Sequence, residues 1–332
     1  MDSNKPVELI TNYKDILRLS IVPHNVCNFS CDYCFPGSNE GNYPFIKNWS
    51  IISDNVKHLF SYYIKHTHKK RFDINISGGE PTLWPDLGNF CTTLKQNFDV
   101  SIMIISNGSR TLRYWEENGD KFDQVVLSCH HKETDLSHTI AVADLLYKKT
   151  IGVSGLVMMD PNNWDKCIDI VNRLKTSKYS WPIYVQKIEG NYEYSDSQIM
   201  YLQKSTQRWP NPFYYYKIYK KAFSYQKQPY AIFKDGRKKK LSINDVTANN
   251  WNNFYNWRCN LGVDSIQIMP DGRLSGSCDQ LLFGMDHYFN IFDEDFKNKF
   301  NPTIQPTICK KIYCGCITDI NMTKKIFPIQ VS

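Results

Sequence analysis

The sequence lacks any run of about 18 apolar residues, so it offers no candidate for a membrane-spanning helix. Its first residues, MDSNKPVELITNYKD, lack the basic-then-apolar order of a secretory signal, and no internal repeat is present. These absences argue against membrane, secreted and repeat proteins, and they predict a cytoplasmic chain with no membrane partner. Hydrophobic residues make up 42% and charged residues 22% of the 332 residues, which is typical of a globular enzyme with one large domain or two medium ones.

Positive charge is concentrated in one part of the chain. The net charge is +7, and residues 191–258 alone hold 12 Lys and Arg against 4 Asp and Glu. The same segment holds 17 of the 47 aromatic residues. This change in composition indicates a distinct structural unit.

The first 190 residues alternate between strand and helix patterns. Apolar runs predict buried parallel strands at 17–22, 71–77, 100–106, 122–128, 150–159 and 182–188. Helical patterns fall at 50–66, 86–97, 110–118, 136–148 and 163–176, with Asp86 and Asn163 as N-cap candidates. Six such units predict an α/β fold, a partial (β/α)6 TIM-like barrel, and the alternative is an open doubly wound sheet.

Polar and glycine-rich groups follow all six predicted strands. After the first two come PHNVCNFSCDYC and GGEP, and the later strands are followed by NGS, CHHKE, DPNN and EGN. Parallel α/β barrels build their active sites at these strand ends. The pattern therefore favours an enzyme over a scaffold.

Cys27, Cys31 and Cys34 follow the first strand in a CxxxCxxC spacing. Three thiolates can hold a four-iron, four-sulfur cluster and leave one iron open to a ligand. A zinc site completed by His24 or a distant cysteine is the alternative. The segment SGGEP (77–81) follows the second strand, where its glycines let the backbone approach a ligand and Glu80 can bind a cationic amino group.

The combination of CxxxCxxC and GGEP resembles the radical S-adenosylmethionine (SAM) superfamily over about residues 15–190. In that family the methionine end of SAM chelates the open iron, and reductive cleavage of SAM yields a 5′-deoxyadenosyl radical that abstracts a substrate hydrogen. The resemblance implies a [4Fe-4S] cluster held by Cys27, Cys31 and Cys34, SAM as a cofactor, and an electron donor such as flavodoxin or ferredoxin. The residues that it places near SAM are Tyr33, Gly78, Gly79, Glu80, Asn107, Ser128 and His130.

A second group of cysteines lies near the C-terminus. Its members are Cys259, Cys278, Cys309, Cys314 and Cys316, and the first two flank a hairpin pattern with its turn at Asp271-Gly272. Five cysteines in 58 residues indicate a second metal site, for which zinc is the simple interpretation.

This C-terminal region is similar to the SPASM and twitch extensions of some radical SAM enzymes. The similarity implies one auxiliary [4Fe-4S] cluster in a small C-terminal α+β extension that contains the hairpin. Gly272 and Cys278 have five residues between them where the usual pattern has four, so the ligand set stays open. We expect Cys259, Cys278, Cys314 and Cys316 as ligands, with Cys309 as the alternative or as a fifth, functional thiol.

The expected domains are a lead-in at 1–16, the core barrel at 17–190, a basic aromatic connecting segment at 191–258 and the auxiliary-cluster domain at 259–332. Cys91, Cys129 and Cys167 are expected to be packed thiols. His24 and His130 lie at the active-site end, with a contact to SAM or substrate and a polar loop contact as the alternatives. For KDGRKKK (234–240) the alternatives are a polyanion-binding surface and an Asp-Gly hairpin turn with a solvated charge run.

The expected reaction is an oxidative modification, a dehydrogenation or cross-link, of a small molecule or peptide, with anionic substrates included. Only about 16 residues precede the first predicted strand, too few for a leader-binding domain, which favours a small or separately delivered substrate. Modification of a nucleotide or nucleic acid is a less favoured alternative. The rivals from other classes are a zinc-dependent nucleic-acid-binding protein and a catalytically silent radical SAM homologue.

Overall fold

The structure is a computed structural model that describes residues 5–11, 14–34, 37, 39–43, 45–46, 48–188, 190, 192–205, 230–241, 243–276, 289–310, 312–314 and 317–326. The chain divides into two compact units. The core unit comprises Ile21–Trp49 and Ile74–Tyr225, and the second unit comprises Met1–Ser20, Ser50–Asp73 and Gln226–Ser332.

The secondary structure of the described residues begins with a strand that sequence analysis did not predict. The strands are β1 (Pro6–Ile10), β2 (Ile16–Ile21), β3 (Arg71–Ile76), β4 (Val100–Ser106), β5 (Gln124–Cys129), β6 (Gly152–Met159), β7 (Ile183–Lys187), β8 (Tyr230–Phe233), β9 (Lys238–Lys240), β10 (Trp257–Cys259), β11 (Ser265–Ile268), β12 (Leu274–Ser275), β13 (Thr307–Ile308) and β14 (Lys324–Ile326). The α-helices are α1 (Trp49–His66), α2 (Leu87–Asn97), α3 (Leu112–Asn118), α4 (Leu136–Lys148), α5 (Trp164–Leu174), α6 (Asp196–Ser205), α7 (Ile243–Ala248), α8 (Phe296–Lys299) and α9 (Ile317–Ile320). Single 3-10 turns cover Pro81–Leu83, Gly119–Lys121 and Pro161–Asn163.

The core unit is built on a parallel sheet with helices between its strands. From the ends of β2 and β3 through β4 to β7, the strands lie side by side in chain order. The β4–β5, β5–β6 and β6–β7 pairs are parallel, with Val125 opposite Ile104 and Val153. A doubly wound sheet would reverse its strand order, so the chain order confirms the predicted α/β fold and is consistent with a partial barrel. Among the described strands the barrel is not closed.

The sequence pattern explains why these elements pack as they do. Strands β4 and β6 are nearly continuous apolar runs, and residues such as Ile104 and Val157 have no exposed surface, as expected for strands covered on both faces. Helix α5 instead buries only one stripe, composed of Cys167, Ile170, Val171 and Leu174, with the spacing of one helical face. The helices thus cover the sheet with their apolar sides.

The two predicted N-cap residues occupy the predicted positions but do not cap through their side chains. Asp86 and Asn163 precede α2 and α5, and neither makes a side-chain cap hydrogen bond. Their φ/ψ values, −95°/6° and −125°/34°, are not the extended conformation that turns a side chain toward the first helical turn. Side-chain caps come instead from Thr111, which bonds the Tyr114 N–H, and from Asp135, which bonds the His138 N–H.

The second unit contains a six-stranded sheet in the order β13-β10-β14-β1-β8-β9, with antiparallel pairs. One face of this sheet packs a core that includes Leu9, Ala231 and Cys259. Strands β11 and β12 form an antiparallel hairpin, and β11 lies beside β2. The boundaries expected at residues 190 and 258 stay predictions.

Both Asp-Gly turns predicted from the sequence are present. Gly236 (φ +82°) closes the β8–β9 hairpin, and Gly272 (φ +84°) closes the β11–β12 hairpin. These conformations favour glycine because it lacks a Cβ. All three residues of β9 are exposed lysines, as both the solvated charge run and the polyanion-binding surface require, so the choice between these two alternatives stays a prediction.

Two further expectations concern burial. Cys91, Cys129 and Cys167 have no exposed surface, which confirms that they are packed thiols. Across the residues that the structure describes, no helix is both long and apolar enough to cross a membrane.

Candidate active site

The CxxxCxxC motif lies in the segment between β2 and α1, residues 22–48, here called the cysteine loop. Cys27, Cys31 and Cys34 are partly buried, and none of the three forms a disulfide bond. Burial raises the pKa of Cys31 to about 12, with further contributions from the negative charges of Cys34 and Cys27. Burial also raises the pKa of Cys27. Cys31 therefore lies close enough to Cys27 and to Cys34 for their thiolates to repel its own, and a bound cation would relieve that repulsion.

The donor set suits an iron–sulfur cluster, which takes cysteine thiolates as ligands. No group of three or more His, Cys, Asp or Glu side chains in the described ranges is arranged to hold a single metal ion. Ligands of a cluster bind different iron atoms, so they need not converge on one point as the ligands of one ion do. The three partly buried thiols on one loop therefore fit an iron–sulfur cluster rather than a single metal ion.

The two glycines of GGEP bring the end of β3 against the cysteine loop. Gly78 and Gly79 both have positive φ, +88° and +49°. A Cβ on Gly79 would lie 2.3 Å from the Val26 carbonyl oxygen, and one on Gly78 would lie 2.2 Å from Val22 Cγ1. The Glu80 N–H donates to the Val26 carbonyl at 2.8 Å. The glycines thus permit a close approach to the backbone that leads into the cysteine motif.

The Glu80 carboxylate links the end of β3 to the end of β4. It is 1% exposed, and its Oε1 accepts from Thr82 N at 3.0 Å, Thr82 Oγ1 at 2.5 Å and Ser106 Oγ at 2.8 Å. Its Oε2 accepts from Asn107 N at 2.7 Å. Burial raises the pKa of Glu80, and these hydrogen bonds oppose that rise. Because Oε2 has a single donor among the described residues, it retains capacity for an amino group.

Asn107 connects the end of β4 to the cysteine loop. Its Nδ2 donates to Asn28 Oδ1 at 3.0 Å, and its Oδ1 accepts from Ser109 N at 3.0 Å. Asn28 Nδ2 in turn donates to Ser109 Oγ at 2.9 Å. Asn28, between Cys27 and Cys31, is therefore fixed from outside the loop. Sequence analysis assigned no role to Asn28 or Ser109.

A second hydrogen-bond chain joins the cysteine loop to β5. Tyr33 Oη lies 2.9 Å from His130 Nδ1, His130 Nε2 lies 3.2 Å from Ser128 Oγ, and Ser128 Oγ donates to the Ser106 carbonyl at 3.3 Å. Since the carbonyl can only accept, Ser128 accepts from the His130 Nε2–H, and Tyr33 donates to Nδ1. Burial lowers the pKa of His130 to about 4, which agrees with this neutral tautomer.

His24 lies inside the cysteine loop with no exposed surface. Its Nδ1 accepts from Val26 N at 3.2 Å, and its ring meets Phe45 edge-on at 4.6 Å between centroids. Burial lowers its pKa to about 4. Of the two alternatives for His24, the structure shows the loop contact.

His131 and Asp160 form a buried pair that sequence analysis missed. The His131 side chain has no exposed surface, its Nε2 lies 3.6 Å from Asp160 Oδ2, and its ring stacks on Tyr33 at 5.9 Å. Burial lowers the pKa of His131, against the opposing influence of Asp160. Asp160 directly follows β6, and this position at a strand end could have identified it from the sequence as a candidate site residue.

Three C-terminal cysteines are described, all within the core of the second unit. Cys259, Cys309 and Cys314 are 3%, 7% and 6% exposed. Backbone hydrogen bonds fix them, with Cys309 N donating to Trp257 O at 2.8 Å and Cys314 N to Asn252 O at 3.0 Å. Burial raises the pKa of Cys259 to about 11 and that of Cys314 to about 12, and the charge of Cys309 adds to both shifts. Cys278 and Cys316 lie outside the described residues.

Residues 21–174 match the family model of the Radical SAM superfamily. The matched stretch holds the cysteine loop, GGEP and strands β3 to β6. This part of the chain is therefore similar to a radical SAM domain, and the similarity implies SAM and a [4Fe-4S] cluster as cofactors.

Three curated relatives match parts of the chain. GTPase Obg of Brachyspira hyodysenteriae is 33% identical over 95 residues, which cover 28% of this chain and 14% of that protein. The S-adenosylmethionine-dependent nucleotide dehydratase of a Thermoplasmatales archaeon is 24% identical over 170 residues, 47% of this chain and 57% of that protein. GTP 3′,8-cyclase of Yersinia pestis is 28% identical over 142 residues, 41% of this chain and 40% of that protein. Each match spans less than two thirds of the relative, and all three relatives are named as enzymes, in agreement with the enzyme expected here.

A solved structure, described as native anSMEcpe with bound AdoMet and Kp18Cys peptide, matches with a TM-score of 0.50. The match covers 86% of this chain and 81% of that chain at 16% identity. At this identity the likeness supports the fold alone.

Proposed function

We propose that this chain is a radical SAM enzyme that reductively cleaves SAM at the cysteine loop and oxidatively modifies a small molecule or peptide. The bound cluster would supply the electron that cleaves SAM to methionine and a 5′-deoxyadenosyl radical. The observation that supports the proposal most directly is the packing of Gly79 and Glu80 against the backbone at Val26, one residue before Cys27. It brings the GGEP segment against the loop that carries the proposed cluster ligands.

In this proposal Cys27, Cys31 and Cys34 hold the cluster. Glu80 Oε2, which has one hydrogen-bond donor, accepts from the SAM amino group beside Gly78 and Gly79. The other residues proposed for the SAM side of the site are Tyr33, Asn107, Ser128 and His130. Their side chains already bond to one another or to neighbouring protein groups, so their main contribution is to hold the loop in position.

We further propose one auxiliary [4Fe-4S] cluster in the second unit, in a twitch-like extension. Cys259, Cys309 and Cys314 share one core, and a fourth thiolate would come from Cys278 or Cys316. Such a cluster would accept the second electron of a two-electron oxidation of the substrate. The 5′-deoxyadenosyl radical would remove the first together with a hydrogen atom, and an external donor such as flavodoxin or ferredoxin would reduce the cluster at the cysteine loop before SAM is cleaved.

A nucleotide substrate is the second candidate, because two of the relatives are named for nucleotide chemistry. The exposed lysines of β9 offer positive charge that would suit phosphates. The rate of 5′-deoxyadenosine formation, measured with nucleoside triphosphates and with short acidic peptides, separates the two candidates. A rise with one class alone assigns the substrate class.

The proposed function is tested by anaerobic reconstitution followed by reduction in the presence of SAM. We expect about four irons at the cysteine loop and formation of 5′-deoxyadenosine and methionine. The variant with Cys27, Cys31 and Cys34 all changed to Ala should form neither product, whereas Cys91→Ala, which changes a packed thiol in α2, should form both. Protein that holds only zinc, or iron-loaded protein that never cleaves SAM, would contradict the proposal.

A further inference from the structure

Two lysines are buried among the described residues, and they have different surroundings. Lys69 is 4% exposed, and its Nζ lies 3.0 Å from Asp264 Oδ1 and 2.9 Å from the Ile16 carbonyl. Lys324 in β14 is 2% exposed, and none of the ion pairs among the described residues includes it. Among the residues that the structure describes, one buried ammonium is thus paired with a carboxylate and the other is not.

The contacts of Lys324 compensate only part of its charge. Its Nζ donates to the Asp319 carbonyl at 2.5 Å and lies 4.1 Å from the centroid of the Phe254 ring. A carbonyl dipole and an aromatic face together stabilise an ammonium less than a paired carboxylate does. A buried, unpaired charge is costly enough that native proteins almost always place an opposite charge beside it.

Buried cysteines also lie beside Lys324. Lys324 is directly opposite Cys259 in the β10–β14 register, so both side chains lie on the same face of the sheet. The Lys324 charge lowers the pKa of both Cys259 and Cys314 against the larger effect of burial. On each thiol its influence exceeds the opposing influence of the Asp319 carboxylate. The positive charge of Lys324 therefore offsets part of the cost that burial places on negative charge at these two sulfur atoms, whose pKa values remain raised.

We propose that Lys324 is the buried counter-charge of a thiolate-bound iron–sulfur cluster at Cys259, Cys309 and Cys314, and that it raises the reduction potential of this cluster. The inference rests on the auxiliary cluster of the proposed function. A fixed positive charge in a low-dielectric core stabilises the reduced cluster, which carries one more electron, more than the oxidised one. The charge of Lys324 thus makes the cluster a better electron acceptor.

The test uses full-length protein in which Cys27, Cys31 and Cys34 are changed to Ala, so that only the C-terminal cluster remains. Lys324→Met removes the charge and keeps an unbranched side chain. Lys325→Met is the matched control, since Lys325 is the next residue of the same strand and is exposed. The readouts are the iron content and the midpoint potential from a redox titration followed by electron paramagnetic resonance.

We expect a lower midpoint potential in Lys324→Met and an unchanged one in Lys325→Met. An unchanged potential in Lys324→Met at full iron content would overturn the inference and leave the proposed function intact. A parent protein that binds no iron would instead contradict the auxiliary cluster itself.

Lys324→Arg covers the case in which Lys324→Met loses its iron or fails to fold. This variant keeps the positive charge and changes the shape of the side chain. Cluster binding by Lys324→Arg at a potential near that of the parent would support a requirement for charge. Loss of the cluster from both variants would show that the shape of the lysine matters rather than its charge, and would contradict the inference.

Discussion

At the scale of single residues, the structure gives Tyr33 and His130 a role that the sequence could not specify. The resemblance places both near SAM, and the structure shows them bonded to each other, with Ser128 and the β4 carbonyl of Ser106 completing the chain. Hydrogen bonding between residues 97 positions apart depends on the tertiary fold, which a motif does not report.

Tyr33→Phe deletes only the hydroxyl of this chain and leaves His130 Nδ1 without its donor. We expect the free energy of unfolding to fall by about 1–3 kcal/mol, because a buried acceptor loses its partner. The cluster should also release iron to a chelator faster, since Tyr33 is the neighbour of Cys34. Chemical denaturation and chelation kinetics measure the two effects, and Tyr43→Phe, at an exposed tyrosine of the same loop, is the control. Equal behaviour of the two variants would contradict the role of the chain.

The lowered pKa values of His24 and His130 predict a pH dependence of stability. Both values are about 4 in the folded protein against 6.5 for an ordinary histidine. Between these values the unfolded chain binds more protons than the folded one, so stability should fall as pH is lowered from 6.5 toward 4. From pH 7 to 5.5 each histidine should cost about 1 kcal/mol, measured by denaturant unfolding. His130→Gln should lose part of this dependence, whereas His66→Gln, at an exposed site, should keep all of it.

At the scale of elements, the part of the chain from β2 to β7 follows the sequence closely. The apolar runs predicted six strands, and β2 to β7 confirm them with shifts of one or two residues at their ends. Five helical patterns are confirmed as α1 to α5. Strong local periodicity explains this success, because a strand covered on both faces or a helix with one apolar stripe needs no distant information.

Helix capping could not be predicted from the residue type alone. Asp86 and Asp135 are the same residue type before two helices, yet only the Asp135 side chain accepts a backbone N–H of the first turn. Asp135→Ala should lower the free energy of unfolding by about 0.5–2 kcal/mol, whereas Asp86→Ala should have little effect. Denaturant unfolding of the two variants measures the difference. A larger loss in Asp86→Ala would contradict the assignment of the cap.

Gly79, which lies just after β3, lets the GGEP segment pack against the cysteine loop. Gly79→Ala places a Cβ 2.3 Å from the Val26 carbonyl at a positive φ, so the cysteine loop must shift. We expect a loss of more than about 2 kcal/mol in stability together with weaker cluster binding. Gly41→Ala is a matched control, because Gly41 has φ +72° but nothing within 4 Å of its Cβ position. Gly41→Ala should be destabilised only by the backbone strain at positive φ, which costs less, and its iron content should be unchanged. Similar iron loss in both variants would contradict the importance of the close approach.

At the scale of the whole molecule, the second unit was the part least accessible from the sequence. Its six-stranded sheet uses strands of two to five residues, and β1 pairs with β8 and β14, more than 200 positions away. Short strands carry little periodicity, and pairing over such distances leaves no local signal. The two Asp-Gly turns could be predicted because such a turn depends mainly on its own residues. The C-terminal group of cysteines was predicted from the spacing of its members alone.

The proposal of two independent clusters makes a stoichiometric prediction. Replacement of Cys27, Cys31 and Cys34 with Ala should leave about four irons per chain, held in the second unit. Iron and sulfide analysis after anaerobic reconstitution measures this number. A fall to zero would contradict a second cluster, and the fully loaded wild-type protein provides the reference.

The central claim is that the cysteine loop leaves one iron open and that SAM binds there. The most direct test is electron–nuclear double resonance on the reduced wild-type protein with SAM labelled with a nitrogen isotope at its amino group. We expect a coupling from the labelled nitrogen, absent from the variant with Cys27, Cys31 and Cys34 changed to Ala. A reduced cluster of full iron content that shows no such coupling in the presence of SAM would contradict the account.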